Sequence, residues 1–487
     1  MFTGKLPSPA DGVQLNFCKT LACRNFGLED EQHYVLQQSN PSRPAMVCRE
    51  CGAFPPLLSN QEVINEARRQ IVKQQLVCCT NPDCHNNMRP AVLHRDQYHH
   101  FGYSGNKQRF RCKACKTTFV DPFSQSNPHA ELHLNLLNKL YAQEPVRDIC
   151  RDLALNPKSF YHHLQLIAAR CNYHNAIYQH ALIRQTRPSE LSCVLSELQP
   201  GSYNGVDIMT VCDEQSGFIL SQSTNYAAAP TPPDHGTHNA YIDDCHLLPT
   251  DSVYSMSTTP HQWPEQLLAR VDDRYRQIMA RKNVEEPLHQ NGFKRYPANG
   301  SLIRSQYMVY GHFLRLKPLL SHWPIELYLP QEPLIRSAVV SVFKEEVANQ
   351  QLNPIYVDQS GTPPNEHKKI DIVLMGWWRD RWAFSHGDDG SKGICHLGGA
   401  TGDEAHLLQR ARTAANHQYI AAFRAQFSVY LQESRRVRHP SMLVALSQIF
   451  RAGYNLSKQD NNPVVRAGLA KTPLSFENLL RHTDMQN

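Results

Sequence analysis

The sequence contains no apolar run of the roughly 18–20 residues that a membrane-spanning helix needs. The longest candidate, Ile370–Trp378, is far shorter and includes an acidic residue. The N-terminal stretch Met1–Val13 carries Pro7, Pro9 and Asp11 where a secretory signal would need an apolar segment. We therefore expect a cytoplasmic protein with no membrane partner. Thiols stay reduced in that compartment, so paired cysteines indicate metal binding rather than disulfides.

Charge is sparse and unevenly distributed along the chain. Charged residues make up only 19% of the 487 residues and apolar residues 41%, which is a globular composition. A chain of this length is expected to form several domains with at least one large core. Residues 81–190 contain 14 Lys/Arg and 8 Asp/Glu, so this window alone accounts for the net charge of +6. The local basic excess favours a polyanionic partner, although an ordinary solvated surface would have the same composition.

Eight of the 15 cysteines form two sets with nearly the same spacing. The sets are Cys18, Cys23, Cys48 and Cys51, and Cys79, Cys84, Cys112 and Cys115. The text around them also repeats, since CKTLACRN matches CTNPDCHN and VCRECGAF matches RCKACKTTF, which indicates an internal duplication. Four thiolates on two short loops suit a tetrahedral structural Zn2+ site, and a unit this small needs its metal to fold. We therefore predict two structural zinc sites.

Two alternatives remain open for the second set. Cys78 directly precedes Cys79, so either thiol could be the ligand. A nearby imidazole could also replace a thiolate, although we expect these histidines at the surface or in contact with nucleic acid. They are His85, His94, His99 and His100.

Three helices are predicted after the second cysteine set. The first has an apolar face from Leu132 to Tyr141, the second covers Val146–Leu155, and the third runs from about Lys158 to Cys171. Asn156-Pro157 supplies the turn, because proline is favoured at a first helical position. The pattern is that of a helix-turn-helix, whose second helix meets base edges with its first residues; a plain three-helix packing unit is the alternative. The predicted DNA contacts are Lys107, Arg109, Arg111, Lys113, Lys116, Lys158, Ser159, Tyr161, His162 and His163.

Two stretches resemble bacterial insertion-sequence transposases. In Tyr98–Pro122, the residues that match the N-terminal zinc ribbon of that family are Gly105, Gln108, Arg109, Phe110, Arg111, Cys112, Cys115, Thr118 and Phe119. The family places a helix-turn-helix directly after that ribbon. Tyr454–Leu480 is similar to the tail that closes the catalytic domain of integrase-like transposases.

The resemblance implies an RNase H-like core, and hence a multidomain α/β protein. The expected order is a first zinc ribbon at 1–75, a second at 76–124, a helix-turn-helix at 125–187 and the core at 188–487, with an insert at about 227–300. Strands are predicted at Ser192–Leu198, Val206–Cys212, Gly217–Ser223 and Ile325–Leu329. Helices are predicted at Ser305–Leu320, Leu334–Ala348 and Ala414–Glu433.

Strand transfer in that family needs three carboxylates that hold two divalent metal ions. Ser196 occupies the position of the first carboxylate, and Pro330 or Gln331 that of the second. Glu433 is the residue near the position of the third. We expect the chemistry to be lost, with a shifted set of Glu197, Glu332 and Glu433 as the catalytic alternative.

The resulting hypothesis is a zinc-dependent DNA-binding protein on a transposase-like scaffold, associated with the nucleoid. It would act on double-stranded DNA as a regulator or targeting component without strand transfer, as a homodimer or part of a larger assembly. One alternative is an active transposase or nuclease for DNA recombination, which would also need Mg2+. The other is a protein–protein scaffold that docks partners through the ribbon Cys18–Cys51, whose loop carries an acidic run at 29–31.

Overall fold

The computed structural model describes residues 6–37, 45–53, 55, 57–73, 77–92, 94–123, 127–198, 206–227, 266–280, 301–362, 369–376, 379–387, 389–398, 403–431, 440–457 and 461–481. Across these ranges, no helix combines the length and apolar character that crossing a bilayer requires.

The N-terminal unit is a hairpin followed by a helix. Strand β1 (Tyr34–Gln37) pairs antiparallel with β2 (Ala45–Cys48), and helix α1 (Asn60–Lys73) follows. Helix α1 packs against α6 (Ser305–Leu320) of the central region. Gly311 allows the two helices to approach closely, because a Cβ there would lie 2.9 Å from Glu66 Cγ. The first ribbon is therefore joined to the core rather than separate from it.

The second unit is a three-stranded antiparallel sheet. It consists of β3 (Tyr98–Ser104), β4 (Lys107–Cys112) and β5 (Thr118–Val120), in that order. Phe110 and Phe119 are paired across β4 and β5, and their ring centroids are 5.9 Å apart. These rings form the small core of the unit, so the residues that alternate with them on β4 face outward.

Three helices follow, as the sequence pattern predicts. They are α2 (Ala130–Tyr141), α3 (Val146–Asp152) and α4 (Pro157–Gln185). The side chain of Asn156 caps α4 by accepting a hydrogen bond from the Ser159 backbone N–H at 2.9 Å, and Pro157 occupies the first turn. The buried face of its first turns is Phe160, Leu164 and Ile167.

The centre of the fold is an eight-stranded mixed sheet in the order β13-β14-β15-β12-β11-β6-β7-β8. Its strands are β6 (Glu190–Glu197), β7 (Asp207–Asp213), β8 (Ile219–Thr224), β11 (Ile325–Leu329), β12 (Leu352–Gly361), β13 (Ile370–Met375), β14 (Asp380–His386) and β15 (Gly390–His396). Strands β6 to β8 form an antiparallel meander, β11 runs parallel to both β6 and β12, and the remaining pairs are antiparallel. A short pair, β9 (Tyr226–Ala227) and β10 (Ser301–Leu302), lies apart from it.

Helices cover this sheet on both faces. Four helices come between β9 and β12 in the sequence. They are α5 (Gln266–Met279), α6, α7 (Pro333–Val342) and α8 (Lys344–Ala348). Towards the C-terminus follow α9 (Glu404–Arg410), α10 (Ala414–Gln426), α11 (Ser428–Leu431), α12 (Pro440–Ala452), α13 (Pro463–Arg466) and α14 (Phe476–Arg481). The described residues thus form a mixed α/β protein, and most of its sheet is buried between helices, whereas the edge strand β13 is partly exposed.

Side chains of the C-terminal segment satisfy the edge strand β8. Arg451 donates from Nε to the Ile219 carbonyl at 3.1 Å and from its guanidinium to the Leu220 carbonyl at 2.6 Å. Asn455 both accepts from the Ile219 N–H at 2.8 Å and donates to its carbonyl at 3.0 Å. Edge hydrogen-bonding groups at the start of β8 are therefore used within the chain, which opposes edge-to-edge pairing there.

Several predicted elements differ in length from the observed ones. Helix α4 continues to Gln185, well past Cys171, because the chain has no proline or glycine there and the helix buries apolar residues along its length. The helix predicted at 334–348 is two helices that break at Phe343, and the helix predicted from Ala414 is interrupted at Phe427. Of the predicted insert at about 227–300, the described residues are Ala227 and 266–280, which include α5; the rest lies outside the described residues.

Candidate metal centres and nucleic-acid interface

The four cysteines of the first set lie together at one end of the β1–β2 hairpin. The sulfur atoms of Cys18 and Cys51 are 3.5 Å apart, and those of Cys23 and Cys48 are 3.8 Å apart. All four sulfur atoms lie within 4.8 Å of one another. Zn–S bonds of about 2.3 Å at tetrahedral angles separate two sulfur ligands by about 3.8 Å, so this cluster can hold one Zn2+.

The second set forms an equivalent cluster beside β3 and β4. Cys79 and Cys115 have sulfur atoms 3.2 Å apart, and Cys84 and Cys112 are 3.7 Å apart. The predicted ligand ambiguity is resolved by position: Cys79 belongs to the cluster, while Cys78 packs against the large hydrophobic core. Burial raises the pKa of the Cys78 thiol to about 11.

The duplication extends to residues that the sequence analysis did not single out. Tyr34 and Tyr98 occupy the same register, each paired with the third cysteine of its set. The hydroxyl of Tyr34 accepts the Cys18 backbone N–H at 2.9 Å, and that of Tyr98 accepts the Cys79 N–H at 3.2 Å. Each hydroxyl also meets the carbonyl of an asparagine in the same loop. A tyrosine thus ties each ligand loop to its hairpin.

An asparagine orients one thiolate in each cluster. The side-chain nitrogen of Asn25 lies 3.4 Å from the sulfur of Cys48, and that of Asn86 lies 3.3 Å from the sulfur of Cys112. Each follows the second cysteine of its set after one residue, so the motif Cys-x-Asn was the available sequence signal. Both asparagines are buried, as expected for an outer shell that fixes metal ligands.

The pKa values of the thiols differ within the clusters. Burial alone would raise the pKa of Cys48, but hydrogen bonds from the Cys51 backbone and the Asn25 side chain lower it to about 7. A hydrogen bond with the Thr117 side chain is the main cause that lowers the pKa of Cys115 to about 6. Burial raises the pKa of Cys23 to about 11. Within each cluster, hydrogen bonds lower the pKa of one thiol while burial raises the pKa of others.

The two ribbons differ in what surrounds them. The first contacts the core: Lys19 Nζ donates to the hydroxyl of Tyr310 at 2.5 Å, and Lys344 forms an ion pair with Glu29. Lys344 also lies over the ring of Phe17, 5.4 Å from its centroid. The acidic run that suggested a docking surface for partners is thus partly used by a lysine of the same chain.

The second ribbon presents a basic and aromatic outer face. Arg109 and Arg111 lie over the ring of Phe101, at 5.6 and 5.2 Å from its centroid. Phe101 is 44% exposed and Tyr103 is 68% exposed, which is unusual for large aromatic side chains. Residues 97–120 contain five Lys/Arg and no Asp or Glu, although the carboxylate of Asp96, just before them, interacts with the charge of Lys113. The five basic residues of this segment are Lys107, Arg109, Arg111, Lys113 and Lys116.

The ribbon is attached to the third helix of the predicted helix-turn-helix. The hydroxyl of Tyr173 on α4 donates to the carboxylate of Asp121 at 3.1 Å, and the rings of Phe123 and Tyr173 are 5.7 Å apart. The guanidinium of Arg170 lies over the ring of Phe123, 5.9 Å from its centroid. The basic face of the ribbon and helix α4 are therefore connected through packed side chains.

The predicted contact residues on α4 have different environments. Lys158 and His162 are exposed, and Ser159 and Tyr161 are partly exposed. His163 turns towards His133 of α2, and Nδ1 of His163 lies 3.1 Å from Nε2 of His133. The first two turns of α4 therefore present four of the five predicted residues to solvent, and the fifth joins two helices.

The positions expected to hold catalytic carboxylates are occupied by other chemistry. Ser196 accepts a hydrogen bond from Arg424 of α10 at 2.7 Å, and the same guanidinium donates to the Glu197 carbonyl at 2.5 Å. Gln331 is buried and donates to the Val271 carbonyl at 3.2 Å. The guanidinium of Arg424 beside Ser196 makes the surroundings of this residue unfavourable for a divalent cation.

The alternative carboxylates do not form a shared site. Glu332 is buried at the N-terminus of α7, where its side chain caps the Leu334 N–H. Glu197 is buried beside α10, and Glu433 lies outside the described residues. Among the residues that the structure describes, the two four-cysteine clusters are the groups of three or more potential ligands close enough to share one ion.

A buried carboxyl that the sequence analysis missed lies on the same face of the sheet. Glu214, in the turn after β7, accepts hydrogen bonds from Ser192 at 2.5 Å and from the Ala415 N–H at 3.2 Å. Burial raises its pKa, and these hydrogen bonds lower it in part. Asn416 fills the adjacent space by bonding Thr210 at 2.6 Å. The polar groups in this region therefore have hydrogen-bond partners, and the region is a packing contact between sheet and helix.

No family model, no curated protein and no solved structure matches this chain.

Proposed function

We propose that this protein binds double-stranded DNA through the outer face of its second zinc ribbon together with the first turns of α4. The observation that carries the proposal is the face of the β3–β5 sheet, where Arg109 and Arg111 both lie over the exposed ring of Phe101 and residues 97–120 contain no Asp or Glu. Lysine and arginine on one surface are the electrostatic footprint of a phosphate-binding protein.

Helix α4 would supply the groove-facing element. Its capped N-terminus directs the Lys158, Ser159 and His162 side chains away from the buried face. The positive end of the helix dipole adds to the attraction for phosphate. The Asp121–Tyr173 contact keeps the ribbon and the helix in one arrangement, so both can meet one duplex. Ribbon contacts would set position, and helix contacts would read bases.

The transposase-like scaffold is part of the same proposal. Its support in the sheet is that β6 and β11 are adjacent and parallel, with Ser192 beside Tyr328. This arrangement brings together the two strands on which an RNase H-like enzyme would carry its first two carboxylates. The guanidinium of Arg424 beside Ser196 supports loss of strand transfer, and hence a regulator or targeting component.

The experiment is a comparison of two charge-neutralised variants. Arg109→Gln combined with Arg111→Gln removes two cations from the second ribbon, and Arg24→Gln combined with Arg49→Gln removes two exposed cations from the first. Fluorescence anisotropy with a labelled duplex at low salt measures both. We expect the second-ribbon variant to lose about 10-fold or more in affinity, because it loses about two phosphate contacts.

The control variant should bind like the parent protein, and both variants should retain two zinc ions. Equal losses in the two variants would mean that binding follows net charge alone. Unchanged affinity in the Arg109/Arg111 variant would remove the second ribbon from the interface.

A further inference from the structure

The hairpin of β3 and β4 extends beyond the third strand of the second ribbon. Strand β5 pairs with β4 over residues 109–111, so the end of the hairpin, residues 101–107, forms a two-stranded arm. Residues 101–106 of this arm are all exposed, and they include the aromatic side chains of Phe101 and Tyr103. Aromatic side chains that a projecting segment leaves exposed indicate a contact surface rather than a core.

A β-bulge places one aromatic ring on each face of the arm. The register of β3 against β4 shifts just before Tyr103, and Gly102 in the bulge has a positive φ of 73°. The side chain of Gln108 donates to the Gly102 carbonyl at 2.9 Å, which holds the bulge in place. Tyr103 is paired with Gln108, whereas the ring of Phe101 lies against Arg109. Because successive residues of β4 point to opposite faces, the two rings lie on opposite faces of the arm.

The two rings have different surroundings. The guanidiniums of Arg109 and Arg111 lie 5.6 and 5.2 Å from the centroid of Phe101, so this ring supports two cations. Tyr103 is 68% exposed, so most of its side chain is open to solvent. A ring that carries guanidiniums can hold them ready for phosphates, whereas an open ring can stack on a base.

The first ribbon shows that the zinc-binding fold does not require these side chains. The tyrosine–cysteine pairs of the two hairpins put both ribbons in one register. In that register, the first ribbon has uncharged, non-aromatic residues at the positions of Arg111, Arg109 and Phe101, namely Val47, Ala45 and Gln37. Both ribbons nevertheless bring four cysteines together. The basic and aromatic residues of the arm are therefore available for a ligand.

We propose that the arm binds unpaired bases beside a duplex, so that the preferred ligand is a junction of single-stranded and double-stranded DNA. The inference rests on the proposed function, since Arg109 and Arg111 would hold the backbone of the adjoining duplex. Neighbouring bases cover the faces of a base within a paired duplex, whereas an unpaired base can offer its face to an aromatic ring. Tyr103 is the stacking residue.

Stacking would give the arm a preference for DNA structure rather than for DNA sequence. Every base has an aromatic face, so an exposed tyrosine accepts any base, and one stacked base contributes about 10-fold in affinity. The absence of Asp and Glu from residues 97–120 keeps the charge of the segment favourable to the backbone of both strands.

The test is fluorescence anisotropy of the full chain with three labelled DNAs. They are a paired duplex, the same duplex with a single-stranded tail, and the same duplex with a tail of abasic nucleotides. The two tails carry the same phosphates and differ only in their bases. We expect the parent to bind the natural tail about 10-fold more tightly than the abasic tail. Tyr103→Ala should bind both tails equally, and Tyr103→Phe should keep the preference because it keeps the ring.

Two further variants separate stacking from charge. Arg109→Gln combined with Arg111→Gln should weaken binding of all three DNAs by a similar factor. Val35→Ala changes an exposed side chain of the first ribbon and should bind like the parent.

The outcomes distinguish this inference from the proposed function. Equal affinity of the parent for the two tails, or a preference that persists in Tyr103→Ala, would overturn the inference and leave duplex binding intact. No binding of any of the three DNAs at low salt would overturn the proposed function as well. Because Tyr103 is exposed at the end of the hairpin, its substitution should leave folding and the content of zinc unchanged.

Discussion

Removal of the Asn86 side chain should weaken zinc binding at the second cluster alone. Asn86 is 0% exposed, and its amide nitrogen lies 3.3 Å from the sulfur of Cys112. A hydrogen bond to a charged group contributes about 1.5–3 kcal/mol. This range corresponds to the roughly 10–100-fold loss of metal affinity that follows loss of an outer-shell partner. We therefore expect Asn86→Ala to lower the zinc affinity of that cluster by about 10- to 100-fold.

The duplication offers a matched variant. Asn25 makes the same contact with Cys48 at 3.4 Å, so Asn25→Ala should weaken the first cluster by a similar factor and leave the second unchanged. Competition with a chromophoric zinc chelator measures both sites, because each variant should show one early and one late release step. If Asn86→Ala released both ions as the parent does, the asparagine would have no role in holding the metal.

Further predictions concern stability and the lost chemistry. Burial, then the charges of Arg315 and Arg451, hold the pKa of His312 well below its usual value. The unfolded chain therefore binds this proton more readily, and stability should fall as the pH drops below about 6.5, by up to about 1.4 kcal/mol per pH unit. Urea unfolding at several pH values should show that the free energy of unfolding falls less steeply with decreasing pH in His312→Gln than in the parent. The same dependence on pH in both proteins would refute the role given to His312. Phe160→Ala should cost about 3–5 kcal/mol because the ring is fully buried, whereas Lys158→Ala should leave urea unfolding nearly unchanged. Glu332→Gln should not alter DNA binding in an anisotropy titration. A large loss of affinity would mean that this carboxylate takes part in DNA binding.

The sequence predicted features that depend on local pattern. The spacing of the cysteines predicted which eight would cluster, since ligand geometry leaves few arrangements. Ser305–Leu320 and Ile325–Leu329 match the observed helix and strand, because apolar residues mark their length and turn residues mark their ends.

Features that depend on contacts between distant segments were not accessible in this way. The role of Tyr98 requires knowing that it pairs with Cys112 and reaches Cys79. The position of Arg424 beside Ser196 depends on how α10 packs on β6. The break at Phe427 falls within an apolar helical pattern, and tertiary packing overrides that pattern.

The central claim is that the chain holds DNA and does not cut it. The most direct measurement is the affinity for random and genomic duplex fragments over a range of salt concentrations, with and without Mg2+, followed by a gel for cleavage. Five cations on the second ribbon, with Lys158 as a sixth, predict a slope of log affinity against log salt of up to about −5, with no cleavage in Mg2+. No detectable binding at low salt, or cleavage that requires Mg2+, would contradict the account.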